Sequence, residues 1–285
     1  LTQAEETYST GITSFNSDGF SVGSGNVFNN GSNTYVAWNW LASNTTASNT
    51  DGDITSTVSA NTTSGFSIVS YTGNGSTNQT IGHGLGVEPD FIIVKATSTT
   101  MNWPTYSKAL GNGVAFLDVT DAWANTPGAY DNYWYTSGMT SSTFGVSNNV
   151  NTNTNGATFI AYVFAQKKGF SKFGSYIGNG STNGSYIHLG FKPAFVLIKS
   201  SSLSQDWFIH DNKRSTFNVS NTVLLPNTAD LDITDLTVYG IDMVSNGFKV
   251  RGTHARINQS GSSYIYMAFA ESPFTTSTGI PTTAR

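Results

Sequence analysis

Short apolar runs, each bounded by Gly, Asn or Pro, recur along the chain. Phe66–Tyr71, Asp90–Ala96, Val114–Val119, Phe144–Ser147 and Ala157–Ala165 are rich in β-branched and aromatic residues. Ala194–Ser200, Asn221–Leu225, Leu236–Tyr239 and Ser263–Ala270 form a second such series. Runs of this length and composition, with turn residues about every ten positions, predict strands and not βαβ units. Ala157–Ala165 and Ser263–Ala270 are apolar at both odd and even positions, so both faces of these strands should be covered. Gly73-Asn74-Gly75 and Gly178-Asn179-Gly180 supply the residues that tight hairpins need.

The two series are copies of one pattern. Gly65-Phe66-Ser67, Tyr71-Thr72-Gly73-Asn74-Gly75-Ser76-Thr77-Asn78, Pro89, Phe91-Ile92-Ile93-Val94-Lys95 and Trp103 open the first. Gly169-Phe170-Ser171, Tyr176-Ile177-Gly178-Asn179-Gly180-Ser181-Thr182-Asn183, Pro193, Phe195-Val196-Leu197-Ile198-Lys199 and Trp207 answer at an offset of 104 residues, with one insertion before Tyr176. The correspondence runs on to Phe144 with Phe248 and Phe164 with Phe269. Repetition at a fixed period marks tandem structural units. The expected architecture is therefore all-β: tandem β-sandwich modules of about 100 residues at 65–165 and 169–270. Gln166-Lys167-Lys168 between them is so short that the modules should be stacked.

The flanks are read from the same pattern. Gly19-Phe20-Ser21-Val22 and Tyr35-Val36-Ala37-Trp38-Asn39-Trp40 share the spacing of the closing strands, so 1–42 reads as the closing half of a further module. Upstream sequence, another chain or a packed neighbour would then complete it. Residues 43–64, almost all Asn, Ser and Thr around Asp51-Gly52-Asp53, read as an extended linker. Residues 271–285 read as an extended C-terminal tail.

Composition narrows the function. Of 285 residues 11% are charged, against roughly 25% in an average soluble protein, and 38% are hydrophobic. A core is affordable, and the polar surface is neutral rather than ionic. With a net charge of -4 and no basic cluster larger than Lys213-Arg214, nucleic-acid binding is not expected. There is no cysteine, hence no disulfide framework. No apolar run has the length of a membrane helix, so membrane insertion is not expected.

The phrase Gly65-Phe66-Ser67 … Gly82-His83-Gly84-Leu85-Gly86-Val87-Glu88-Pro89-Asp90-Phe91-Ile92-Ile93-Val94-Lys95 resembles a repeated domain of structural proteins from marine tailed bacteriophages. The closing Tyr264-Ile265-Tyr266-Met267-Ala268-Phe269-Ala270-Glu271-Ser272-Pro273-Phe274 is similar to the C-terminal signature of those proteins. The resemblance covers nearly the whole chain and implies a tail-fibre-like protein of the virion surface. Other virion proteins would be its partners, with a homo-oligomer, a trimer, as the expected assembly. It brings no catalytic residues and no cofactor.

Gly82-x-Gly84-x-Gly86 and Gly178-x-Gly180 lack the strand, helix and Lys of a phosphate loop and read as turns. Asp206, His210 and Asp211 lie around Trp207, but on a strand His210 and Asp211 point to opposite faces, which argues against a hydrolytic triad. Asp118 with Asp121, and Asp230, Asp232 and Asp235, read as solvated loop acids rather than a glycosidase pair or calcium site. No catalytic or metal-ligating set emerges. Trp103 and Trp207 are repeat-equivalent and should play the same structural part twice.

Trp123, Tyr130, Tyr133 and Trp134 differ, because their counterparts in the second copy are not aromatic. Rings interleaved with Asn and Asp suit stacking on sugars, and they equally suit packing at an interface. The leading expectation is thus a non-enzymatic protein that attaches a virion to a host glycan through these four residues. The alternatives are a purely structural exterior or shaft protein and a glycan-depolymerising tailspike.

Overall fold

A computed structural model describes residues 2–125 and 132–273. The strands of the N-terminal part are β1 (Ile12–Phe15), β2 (Phe20–Val22), β3 (Ala47–Asn49) and β4 (Ser56–Asn61). The first repeat holds β5 (Phe66–Thr72), β6 (Gln79–Gly82), β7 (Phe91–Ala96), β8 (Pro104–Ser107), β9 (Ala115–Phe116), β10 (Thr143–Val146) and β11 (Thr158–Phe164), with the one-turn helix α1 (Val150–Asn153) before the last. The second repeat holds β12 (Ser171–Ile177), β13 (Tyr186–His188), β14 (Pro193–Ser200), β15 (Trp207–Asp211), β16 (Thr222–Val223) and β17 (Ile233–Thr234). The one-turn helix α2 (Leu236–Tyr239), β18 (Ile241–Val244), β19 (Gly247–Val250) and β20 (Ser263–Ala270) complete it.

The protein is all-β and of sandwich type, built from two large antiparallel sheets and smaller ones that cover them. The large sheets run β3-β4-β5-β11-β7-β8-β9 and β12-β20-β14-β15, so the order β5-β11-β7-β8 of the first repeat recurs in the second. In each, the closing strand of the repeat lies between the opening strand and the Phe-rich strand.

Period-two alternation decides what each face covers. On β11, Phe159, Ala161 and Val163 face a core closed by Ile81 of β6 and Phe144 and Val146 of β10. On β20, Tyr264, Tyr266 and Ala268 face a second core closed by Ile187, Phe248, Val250 and Met243. The opposite faces meet each other. Phe66, Phe91 and Phe164 from one large sheet and Phe173, Phe195, Leu197, Ile265, Met267 and Phe269 from the other form a third, shared core. The expectation that the closing strands are covered on both sides is explained by this layering, since a sheet between two cores must be apolar on both faces.

Two loops tie each repeat internally, in the same way both times. The Tyr71 hydroxyl donates to Thr152 O at 2.7 Å and Tyr176 to Ile257 O at 2.8 Å. The buried Asn153 amide accepts from Asn74 N at 2.9 Å and donates to Ser76 O at 2.8 Å. Asn258 does the same with Asn179 N at 2.9 Å and Ser181 O at 2.8 Å. The Gly-Asn-Gly segments are therefore docked loops, not the tight hairpins expected. A side chain at Gly73 would collide with Thr154 O, and one at Gly178 with Gln259 O, which is why glycine stands at both positions.

Three expectations are corrected. Residues 43–64 are not a linker: β3 and β4 extend the large sheet, β4 pairing with β5 from Ser56 opposite Tyr71 to Asn61 opposite Phe66. Ser56 and Val58 are buried on alternate positions, a strand signal that the Ser/Thr/Asn composition masked. The described residues of 1–42, from residue 2 on, do not form half a sandwich. Among the described residues β1 and β2 pair only with each other, and Tyr35–Trp40 joins no ladder; instead Trp40 packs on Phe164, Phe195 and Phe269 at the rim of the shared core. Leu236–Tyr239 is a helical turn, because Asp235 caps it by accepting from Thr237 N at 2.9 Å and Val238 N at 3.1 Å. Of the expected C-terminal tail, residues 274–285 lie outside the described residues.

Candidate functional site

The four residues expected to stack on sugar do not form one surface. Tyr133 and Trp134 are 8% and 2% exposed, inside the core of the first repeat. Tyr133 packs edge-on against Phe116 with ring centres 5.6 Å apart, and Trp134 against Tyr106 at 5.8 Å. Their faces are covered by protein, so these two rings cannot receive a sugar. Their counterparts in the second repeat, Thr237 and Val238, lie in α2. Tyr130 lies outside the described residues. Trp123 is half-buried against the shared core, seated over Gly113, where a Cβ would collide with its indole nitrogen.

Trp123 belongs to a seam between the repeats. Its N–H donates to Ser201 O at 3.0 Å. The Trp207 indole N–H donates to Phe116 O at 2.8 Å, and Lys199 Nζ donates to Thr120 O at 3.1 Å and Ser200 O at 2.9 Å. Residues 116–123 of the first repeat are thus stitched to 199–207 of the second. Lys199 is fully buried, and burial pushes its ammonium down to about 8, opposed by Asp121 and Asp206. The repeat-equivalent Lys95 turns instead to Thr2 O and Met101 O at 3.0 and 3.1 Å. Both lysines carry a signal in the sequence, since each follows four apolar residues, Phe91–Val94 and Phe195–Ile198.

Trp103 and Trp207 share a backbone contact but not a fate. Trp103 N donates to Asp118 Oδ1 and Trp207 N to Asn227 Oδ1, each at 2.9 Å. Trp207 is fully buried, whereas Trp103 is half-buried and lines a cleft between the large sheets. This cleft, about 400 Å³, is walled by Trp38, Trp40, Trp103, Tyr162, Phe195 and Pro226 among others. Its walls are almost wholly apolar, without the convergent carboxylates and amides that a sugar requires.

The polar candidates form structural pairs. His210 is fully buried on β15, and neither ring nitrogen has a hydrogen-bond partner among the described residues. Burial, with Arg214 nearby, lowers it to about 3, so the ring is neutral. Asp211 pairs with Arg214 at 2.6 Å on the other face. Asp206 pairs with Arg256 at 2.8 Å and accepts from Asn227 at 2.7 Å. Asp206, His210 and Asp211 are therefore not assembled as a triad. Among the described residues no group of three or more His, Asp or Glu is placed to hold a metal.

The seam and the shared core define the class: an all-β protein whose two large sheets are layered face to face. The chain belongs to the family described as a domain of unknown function (DUF7483), whose model matches residues 1–273. No curated protein and no solved structure matches the chain.

Proposed function

We propose that this chain is a non-enzymatic structural protein of a virion exterior, tail-fibre-like, made of two tandem β-sandwich units. The observation that carries this reading is the shared aromatic core with its stitched seam. It makes the two repeats one stiff body rather than beads on a linker, and Tyr133 and Trp134, two of the rings that sugar binding would have used, are packed in the core of the first repeat. The neutral Asn/Ser/Thr-rich exterior fits a protein exposed outside cells, and the resemblance to phage structural proteins supplies the particle. Among the described residues no helix is long and apolar enough to cross a membrane. Immunogold labelling of intact particles with antibody to the chain tests the placement. Label along a fibre or spike supports it, and label only after particles are disrupted overturns it.

Attachment to a host glycan is the second reading. Trp123 supports it, half-exposed between the exposed Asp121 and Asn125. Gel retardation in host surface polysaccharide, with reducing-end release assayed on the same samples, separates the readings. Retardation lost in Trp123→Ala would favour attachment, absence of retardation would favour the purely structural role, and release of ends would point to a depolymerase.

A further inference from the structure

The repeats differ at one sheet edge. In the first repeat the outer edge of β5 is covered by the hairpin β3–β4, with β4 running antiparallel to it. The equivalent strand of the second repeat, β12, pairs with β20 on one side and with no described strand on the other. The reason is chain length: β11 ends at Phe164 and β12 begins at Ser171, which leaves no room for a hairpin like β3–β4. Ser171 N donates to Lys167 O and Ile177 O accepts from the Ser185 hydroxyl, so the open part of this edge lies between them, around Phe173 and Ser175, and is a template for a further strand.

The described chain also holds a hairpin with nothing to pair with. β1–β2 is joined to no other sheet, and every residue of β1 is exposed, Phe15 at 83%. Ile12 and Val22 are exposed beside it. Charge separates the two elements. Residues 1–42 carry Glu5, Glu6 and Asp18 and no Lys or Arg, and Asp18 lies in the β1–β2 turn. The start of β12 carries Lys167, Lys168 and Lys172 and no acid. Lys168 and Lys172 border an open depression of about 520 Å³ with His188, and Lys172 Nζ donates to His188 O at 2.8 Å.

We infer that the open edge of β12 receives the β1–β2 hairpin of a second copy of this chain. β1 runs antiparallel to β12, as β4 does to β5. This direction places the Asp18 turn against Lys168 and Lys172 and Ile12 toward Ile177, which is 55% exposed. Because donor hairpin and acceptor edge are different surfaces, the contact is heterologous. It propagates head to tail into a ring or filament instead of closing a two-fold dimer. The inference concerns how copies join and does not depend on the virion assignment.

The absence of cysteine makes the test direct. Full-length Thr13→Cys and Ser175→Cys chains are mixed and oxidised, with each single variant oxidised alone as control. Sedimentation velocity of the cysteine-free chain is run from micromolar to millimolar concentration, at low and high salt. The expected result is a Thr13–Ser175 cross-linked heterodimer in the mixture above either control. Salt-sensitive self-association should accompany it, weakened at least about tenfold by Lys168→Glu and by Phe15→Asp. Both substituted side chains are exposed, and unchanged near-ultraviolet circular dichroism verifies that the variants fold. A monomer at every concentration would overturn the inference, as would association that both variants leave intact or the lack of a mixed cross-link.

Discussion

Trp207, on the second repeat, donates its indole N–H to the main-chain carbonyl of Phe116, on the first, at 2.8 Å. Both residues are buried, so neither group has water as a substitute. Trp207→Phe keeps an aromatic ring in the shared core but leaves that carbonyl unpaired. The expected cost is about 1–3 kcal/mol of folding stability, read as a lower urea midpoint with an unchanged slope. A change in slope would mean that the variant loosens the stack instead of merely weakening it.

The paired asparagines should behave alike. Asn153 and Asn258 are each fully buried and each hold a Gly-Asn-Gly loop through an accepted and a donated bond. Ala at either position strands several buried partners and should cost about 2–5 kcal/mol. Asp should not rescue, because it cannot donate to Ser76 O or Ser181 O. Thermal melts of the four variants test this, and rescue by Asp would show that the donated bond contributes little.

His210 gives the protein a pH dependence of known sign. Its folded-state pKa, about 3, lies below the ordinary value near 6.5, so the unfolded chain binds a proton that the folded chain refuses. The associated stability is complete above about pH 6.5 and is lost as pH falls toward 3, by up to about 1.4 kcal/mol per unit. His210→Leu should flatten the difference in stability between about pH 4 and 6.5. Parallel curves for the two proteins would contradict the buried, neutral ring.

Trp134 and Trp123 separate packing from exposure. Trp134→Ala opens a cavity in the first core and should destabilise by about 3–5 kcal/mol, whereas Trp123→Ala, half-buried, should cost less. Differential scanning calorimetry ranks them. Equal melting temperatures would mean that the core around Trp134 collapses onto the space.

Much of this fold is legible in the sequence, and what escapes has identifiable causes. The aromatic and β-branched runs that become β5, β7, β11, β14 and β20 are long enough for their pattern to be read, and their two apolar faces announce the layering. β4 escapes because Ser56, Thr57, Ser59 and Asn61 look like linker while alternating like a strand. Leu236–Tyr239 looks like a strand by composition, and only the Asp235 cap turns it into a helix. That the counterparts of Tyr133 and Trp134 in the second repeat are not aromatic is legible in the sequence, whereas the burial of both rings in the first core is not. The open edge of β12 is visible only once pairing is known.

The central claim is that the repeats form one body through their shared core. Urea unfolding of the full chain, followed together by far-ultraviolet circular dichroism and tryptophan fluorescence, tests it most directly. The account predicts one coincident transition, which moves as a unit to lower urea in Trp207→Phe. Two separated transitions, with Trp207→Phe shifting only one of them, would contradict it.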